Sequence, residues 1–400
     1  MTWLSRPLFF TTVLSHTVMK AISVSMLALF IVLAGGAPRS AHAQAVRGVD
    51  SVIARRMAVA HIPGLVASLV DSGRVIWQGA YGFSNVAART RATASTPFQI
   101  ASVSKTITGT VLMMLQAERR FRLDDDINAY LPFPVRNPRH PTVPITFREL
   151  LIHRASIADN MKFYGPLWGA SKGDNLTPLG TYLRDYLTPE GPDYGAANFL
   201  AVAPGDTTVY CNTCYALLGY LAEVISGVPF AQLSDSLLFK PLGMHDTHWF
   251  VKDFAAGTPA TPYRWAKDTG WVAYGQNGYP DWPAGTLRTS IRDLTRFLTT
   301  YLNGGAVDGR QVIPTSVINE MAPPDLHTGF LTWWPMGVRT GAVLYGHNGG
   351  DNGVRTTMAF TRQDRRGVIV LTNGEAPVDE LAAELYARLA ESRRRANGRR

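Results

Sequence analysis

The chain has 400 residues, of which 46% are hydrophobic and 17% are charged, a composition typical of a folded globular protein and not of a disordered chain. Its 2 cysteines are too few for a disulfide scaffold or a closed zinc site, and no repeat or heptad pattern indicates a solenoid or a coiled coil. The formal net charge of +9 comes mostly from the two ends of the chain, which argues against a basic nucleic-acid-binding face.

The first 43 residues have the pattern of an export signal. Lys20 precedes a short apolar run (22–34), too short to span a bilayer, and Ala-His-Ala at 41–43 offers small residues at a cleavage point. We therefore predict a secretory signal peptide over 1–43 and a periplasmic or secreted mature protein without stable membrane anchoring. An uncleaved anchor is the alternative, and translation from Met1 or from Met19 fits the pattern.

Hairpin signals lie near both ends of the mature chain, and the apolar residues between them recur at helical spacing. Leu65–Val70 and Val75–Trp77 flank one polar turn, and Val354–Thr361 and Gly367–Leu371 flank another. Apolar residues recur at helical spacing inside the chain and again near its C-terminus. The clearest of these predicted helices are 217–225, 291–301 with Ser290 as its N-cap, and 378–389.

These segments predict an α/β protein of the α+β kind. An antiparallel sheet is assembled from the N- and C-terminal segments and flanked by helices, with a mostly helical lobe inserted between them. We place one domain over 44–392, with its sheet lobe at about 48–100 and 335–392 and its helical lobe at about 101–334.

Two stretches are predicted to lack regular structure. Residues 160–208 are rich in glycine, proline and aromatic residues with weak periodicity, which is typical of a functional loop or lid. Residues 393–400 carry five arginines and are predicted to form a basic disordered tail.

The first motif that suggests chemistry is Ser102-Val-Ser-Lys105, which opens an apolar-periodic segment. A serine and a lysine three residues apart share one face of a helix, and the helix N-terminus adds positive potential there. Serine becomes an effective nucleophile when a neighbouring group takes its proton. Alone, however, the motif is more typical of a helix cap followed by a solvated lysine.

Two further motifs follow along the chain. Tyr210 and Asn212 precede a predicted helix, where the phenol can act as a base beside a cation such as Lys105 and the amide can bind a substrate carbonyl. His347-Asn-Gly349-Gly lies beside a predicted strand, where glycines permit the close approach of a ligand and a backbone N–H can complete an oxyanion hole. Each motif alone also fits an ordinary turn.

In order and spacing the three motifs together resemble the serine β-lactamase-related family, which includes class C β-lactamases, D,D-peptidases, D-aminopeptidases and related esterases. The resemblance runs from about Val52 to Leu389 and implies a β-lactamase/transpeptidase-like fold. It implies that Ser102 is the acylated nucleophile and that Lys105 and Tyr210 share the proton transfer. It further implies roles in substrate binding and in the oxyanion hole for the remaining motif residues: Asn212, His347, Gly349 and Gly350.

Two positions depart from that family's pattern. His347 stands where the antibiotic-hydrolysing members have lysine, and a histidine near its ordinary pKa is mostly neutral at pH 7. Recognition of a substrate carboxylate therefore loses a fixed positive charge, although Arg355 nearby either replaces it or points outward. Ser156 stands where many relatives have glycine, so the local turn can differ.

The cysteine pair Cys211 and Cys214 stands at the start of a predicted helix. Because we expect export, we favour a structural disulfide between them, with free buried thiols as the main alternative. Redox chemistry has little support, because no thioredoxin-like pattern surrounds the pair.

The sequence thus predicts an exported serine hydrolase that acts through an acyl-enzyme on an ester or amide of a small substrate. A β-lactamase or D-Ala-D-Ala carboxypeptidase proper is one alternative, and a non-catalytic ligand-binding or sensor protein is another. We expect a small-molecule substrate, no metal, no organic cofactor and no nucleic-acid partner, while the oligomeric state stays open.

Overall fold

The computed structural model describes residues 47–167, 173–323, 330–339 and 342–397. The predicted signal peptide at 1–43 lies outside these residues. No single helix in these ranges is long and apolar enough to cross a membrane, and one pair of helices joined by a sharp bend, Asn212–Ser226 with Phe230–Leu242, meets that test by length and composition alone.

A seven-stranded antiparallel sheet forms the centre of the described structure. Its order is β10-β11-β12-β13-β1-β2-β3, so the C-terminal strands continue directly into the N-terminal ones. The junction is the pairing of β1 with β13, from Leu65 opposite Thr372 to Val70 opposite Gly367. The strands are β1 Gly64–Asp71, β2 Arg74–Asn85, β3 Thr90–Arg91, β4 Phe98–Gln99, β5 Tyr263–Ala266, β6 Gly270–Ala273, β7 Arg288–Thr289, β8 Ala306–Val307, β9 Arg310–Gln311, β10 Trp334–Arg339, β11 Ala342–Asp351, β12 Val354–Thr361 and β13 Arg366–Thr372.

The two faces of this sheet pack against different elements because side chains alternate along each strand. In β1, Leu65, Ala67 and Leu69 pack against the first and last helices of the described chain. Val66 and Val70 of the same strand belong to the larger core, which includes the helical lobe. The sheet lies between a layer formed by the terminal helices and an inserted lobe, as the sequence predicts.

The helical lobe is inserted between β3 and β10. Two of its helices start at recognisable caps: Ser290 Oγ accepts a hydrogen bond from Asp293 N–H, and Thr146 with Glu149 forms a capping box. Short hairpins, β5 with β6 and β8 with β9, interrupt the lobe. The helices of the chain are α1 Val49–Val59, α2 Ser104–Ala117, α3 Phe147–Leu151, α4 Met161–Leu167, α5 Leu179–Leu187, α6 Asn212–Ser226, α7 Phe230–Ser234, α8 Lys240–Leu242, α9 Ile291–Leu302, α10 Thr315–Met321 and α11 Asp379–Asn397.

Two predictions of irregular structure need correction. Residues 160–208 contain α4 and α5, and α5 buries Tyr182, Leu183 and Tyr186, so this stretch forms part of the core as well as loops. The segment 393–400 is not wholly disordered, because α11 continues to Asn397, as arginine is a good helix former. Residues 398–400 lie outside the described ranges.

Candidate active site

Ser102 lies in a short 3-10 turn, Ala101–Val103, directly before α2. Ala101 has φ 45°, in the left-handed region that non-glycine residues rarely adopt. The turn is held on both sides, because Ile100 N–H donates to Leu287 O at 2.9 Å and Thr356 Oγ1 donates to Ile100 O at 2.8 Å. The serine side chain is thereby presented at the start of a buried helix.

Lys105 is fully buried one turn after Ser102. Its Nζ donates to Asn212 Oδ1 at 2.7 Å and to Ala284 O at 2.8 Å, and it lies 3.4 Å from Ser102 Oγ. An ammonium has three protons, so these contacts satisfy it completely. As a neutral amine it would keep the two short bonds and direct its lone pair at Ser102. The same geometry can therefore give a proton to Ser102 or take one from it without a side-chain movement.

Tyr210 is half-exposed beside these two groups, with 41% of its surface accessible. Lys105 Nζ lies 4.8 Å from the centroid of its ring, and the ring stacks on His153 at 4.5 Å. Within the described residues, the Tyr210 hydroxyl makes no hydrogen bond to Ser102 or Lys105. The structure therefore brings the serine, the lysine and the tyrosine ring together, while the proton-transfer role of Tyr210 stays a prediction.

Asn212 is the first residue of α6, and the start of this helix is held by Asp159 and by a disulfide. Asp159 accepts hydrogen bonds from the N–H of Asn212 at 2.6 Å and the N–H of Thr213 at 3.0 Å. Cys211 and Cys214 form a disulfide, so the predicted bridge is confirmed. Because Cys211 stands between Tyr210 and Asn212, the bridge joins the segment carrying both side chains to the first turn of the helix.

The third motif lies on β11, next to the nucleophile turn. A Cβ at Gly349 would lie 2.5 Å from Ile100 O and 3.0 Å from Ser102 N, so only glycine permits this approach. Gly350 and Ser102 line the same cavity. This placement fits an oxyanion hole made by the backbone N–H groups of Ser102 and Gly350, which stays a prediction.

Two buried histidines flank Tyr210, and both are neutral at physiological pH. Burial, followed by the positive charge of Lys105, lowers the pKa of His347 to about 3 and that of His153 to about 2. His347 Nδ1 donates to Asn348 O at 2.6 Å, whereas His153 Nδ1 accepts from Cys211 N–H at 3.0 Å. His347 therefore brings no positive charge to the site, and its neutrality is stronger than its sequence position predicts.

The site lies where two cavities meet, of about 510 Å³ and about 320 Å³. Ser102, Tyr210, Gly350 and Arg355 line both of them. The alternative that Arg355 points outward is therefore wrong: the Arg355 side chain faces the cleft, and Nη1 donates to Asp351 O at 2.7 Å.

The acidic residues of the larger cavity are not found by sequence reasoning. Asp281, Asp351 and Glu375 all line it, and none belongs to the three motifs. The sequence feature that could have drawn attention to Asp281 is its position as a lone acid between two prolines, in Pro280-Asp-Trp-Pro283. The next residue is Ala284, whose carbonyl binds Lys105. The structure contains no group of three or more potential metal ligands among its described residues.

Comparison with known proteins places this site in a family. The β-lactamase family model matches residues 49–392. Protein flp of Staphylococcus aureus (strain MRSA252) is 25% identical over 255 residues, which cover 64% of this chain and 48% of that protein, so the chain spans about half of its length.

Solved structures share the fold across most of their length. A class C β-lactamase superposes with a TM-score of 0.69 at 20% identity, covering 89% of this chain and 98% of the other. D-amino acid amidase from Ochrobactrum anthropi SV3 superposes with a TM-score of 0.67 at 21% identity, covering 90% and 100%. The chain therefore belongs to the β-lactamase family of serine hydrolases and has the β-lactamase/transpeptidase fold.

Proposed function

We propose that this protein is an exported serine hydrolase that forms an acyl-enzyme with a small ester or amide. The observation that carries the proposal is the position of Lys105. Its Nζ makes two short hydrogen bonds, to Asn212 Oδ1 and Ala284 O, and its remaining hydrogen or lone pair faces Ser102 Oγ, 3.4 Å away. In its neutral amine form, a buried lysine in that geometry takes the serine proton as the oxygen attacks a carbonyl.

The remaining steps use groups that line the same cleft. The backbone N–H groups of Ser102 and Gly350 hold the negative oxygen of the tetrahedral intermediate. The protonated Lys105, with Tyr210 beside it, then returns a proton to the leaving alcohol or amine. Attack of water on the acyl-Ser102 ester releases the acid and restores the free serine.

An ester or amide is preferred to a β-lactam because of His347. A neutral, buried imidazole at this position offers no fixed charge to the carboxylate of a β-lactam or of a D-Ala-D-Ala peptide. The likeness to D-amino acid amidase supports an amide among the substrates.

The second candidate is a β-lactamase or D-Ala-D-Ala carboxypeptidase. Arg355 favours it, because its guanidinium lines both cavities beside Ser102 and would supply a cation for a substrate carboxylate. Nitrocefin and 4-nitrophenyl acetate, assayed side by side, separate the candidates: faster turnover of nitrocefin would favour the β-lactamase over the esterase or amidase.

The decisive variant is Ser102→Ala. We expect it to lose ester turnover by roughly 10³-fold or more, and to lose labelling by a fluorophosphonate probe. Ser95→Ala, which removes an exposed serine, is the matched control and should keep both. Turnover by Ser102→Ala at the parental rate would reject the mechanism, and stable labelling of the parent without turnover would favour a binding or sensor protein.

Export is proposed from residues 1–43 alone. Expression in a Gram-negative host, followed by mass spectrometry of the periplasmic fraction, should give a mature N-terminus at Gln44. An intact N-terminus in the membrane fraction would instead indicate an uncleaved anchor.

A further inference from the structure

The larger cavity beside Ser102 has an acidic wall that the proposed mechanism does not use. Asp281, Asp351 and Glu375 line it, whereas Arg355 is the cation among its described lining residues. Lys105 adds a second positive charge just beneath the surface. Three carboxyl groups facing two cations give this wall an excess of acid, which favours a cationic part of a ligand.

Two of the three carboxyl groups already have partners from the protein. Asp351 accepts hydrogen bonds from Tyr279 Oη and from Gln99 Nε2, each at 2.8 Å. Glu375 accepts one from Tyr274 Oη at 2.9 Å. These contacts hold both side chains in place and occupy part of their accepting capacity.

Asp281 differs, because among the described ranges its carboxylate accepts a hydrogen bond only from its own backbone N–H, and no cationic side chain lies within ion-pair distance of it. Its side chain is nevertheless 94% buried, with 6% relative exposure, and that exposure faces the cavity. A buried carboxylate with no donor from another residue and no paired cation is costly unless a ligand supplies one. The position therefore fits a group that receives its partner from the substrate.

The backbone connects Asp281 to the residues that hold Lys105 and Ser102. Asp281 O accepts a hydrogen bond from Ala284 N–H at 2.8 Å, and Ala284 O binds Lys105, which in turn contacts Ser102. The backbone of Asp281 thus lies one short helical turn from the residue that anchors the lysine. Because Asp281 and Ser102 line the same cavity, a ligand bound by Asp281 shares that cavity with the nucleophile.

The groups around Asp281 shift the pKa of its carboxyl group in opposite directions. Burial and the negative charge of Asp159 raise the pKa of Asp281, the charge of Lys105 and a hydrogen bond from its own backbone N–H lower it, and Asp351 raises it, giving about 7. The phenols of Tyr164, Tyr182 and Tyr279 also face it. A cationic ligand favours the ionised carboxylate, so the affinity of Asp281 for such a ligand depends on pH.

We propose that Asp281 is a specificity-determining residue that binds an ammonium group on the substrate, next to the scissile carbonyl. The substrate class is then esters or amides of small amino acids with a free α-ammonium. This inference rests on the proposed function, since it assumes that the cleft holds a carbonyl for Ser102. A purely structural Asp281, or one that activates water for every substrate, would show no preference for an ammonium.

The test uses two boronic acids that bond to the active-site serine and differ in one group. 1-Aminoethylboronic acid carries the ammonium and ethylboronic acid lacks it, and neither requires turnover. We expect the parent to bind the amino compound more tightly in a calorimetric titration at pH 7.5. Asp281→Asn should reduce that preference roughly 10- to 100-fold, the range of one charged hydrogen bond. Glu375→Gln, which alters another carboxylate of the same wall, should keep the preference.

The pH dependence of the parent gives a second measurement that needs no variant. With a pKa of about 7, Asp281 should be largely protonated at pH 5.5 and largely ionised at pH 7.5, so the preference for the amino compound should rise roughly tenfold between them. Equal binding of the two boronates by the parent, a preference independent of pH, or an equal loss for both in Asp281→Asn would overturn the inference. Failure of both boronates to bind and of 4-nitrophenyl acetate to react would instead reject the proposed function itself.

Discussion

The two faces of the central sheet have opposite chemical character. On one face, α1 and α11 cover the sheet with a layer rich in apolar side chains, including Leu65, Leu69 and Leu385. The opposite face meets the helical lobe, in which Lys105 and His153 are buried, and His347 of β11 is buried as well. Both faces exclude water to a similar degree, so burial alone does not distinguish the layer that stabilises the fold from the layer that carries the site.

The difference lies in the groups that burial perturbs. Aliphatic side chains gain stability from leaving water, whereas a buried imidazole or carboxyl loses its hydration and shifts its pKa. Burial lowers the pKa of His347 and raises that of Asp281, so one group stays neutral and the other titrates near neutrality. Asp281 and Asp351 are such groups in the lining of the cleft, and perturbed groups of this kind are typical of functional sites.

The largest effect on activity should come from removing the Lys105 amine. Lys105→Met keeps the length of the side chain but leaves Asn212 Oδ1 and Ala284 O without their donor. We expect the acylation rate with a 4-nitrophenyl ester to fall by roughly 10²–10⁴-fold, the usual contribution of a general base. Single-turnover kinetics measure it, and Lys240→Met, at an exposed lysine, is the control. An unchanged acylation rate would exclude Lys105 as the base.

A matched pair of core truncations then separates the two faces. Leu385 of α11 and Leu112 of α2 are both fully buried, one on each side of the sheet. Each change to Ala should lower the free energy of unfolding by about 2–5 kcal/mol in urea titrations.

Ester turnover should respond only to the change in α2, whose first turn holds Lys105. At a temperature where both variants are folded, we expect near-parental activity for Leu385→Ala and a several-fold loss for Leu112→Ala. An equal loss in the two variants would mean that the apolar face also controls the geometry of the site.

The sequence predicts most of the elements on the face of the sheet covered by α1 and α11. It predicts fewer of the elements on the face that carries the site. The strands Gly64–Asp71 and Val354–Thr361 follow from β-branched runs beside turn residues, and the cap at Ser290 from its own spacing. Helix Leu179–Leu187 escapes prediction because its buried positions are partly tyrosines between glycine- and proline-rich stretches.

The site divides in the same way. Ser102, Lys105 and His347 belong to local motifs and are found from spacing, but Asp281 belongs to none and enters the cleft only through the tertiary fold. The neutrality of His347 depends on its burial and on the charge of Lys105, which lies far away along the chain. Sequence therefore locates the reacting groups, whereas their charge states follow from contacts between distant segments.

The smallest predicted effect tests one such charge state. His347→Asn keeps a donor near Asn348 O and removes the titrating ring. In the parent, the folded pKa of about 3 lies below the ordinary value of about 6.5. The unfolded chain then binds more protons between these values, so His347 makes the parent lose stability as the pH falls.

The variant lacks that proton uptake on unfolding. Between pH 6.5 and pH 5.5 its free energy of unfolding should fall by about 1 kcal/mol less than that of the parent, measured by urea titration. Above pH 7.5 both histidine states are neutral, so the two stability curves should run parallel there and serve as the internal control. Parallel curves across the whole range would mean that His347 takes up its proton in the folded protein as easily as in the unfolded chain. The third wall of the cleft would then carry a positive charge at mildly acidic pH, and recognition of a substrate carboxylate would regain the cation that a neutral His347 denies it.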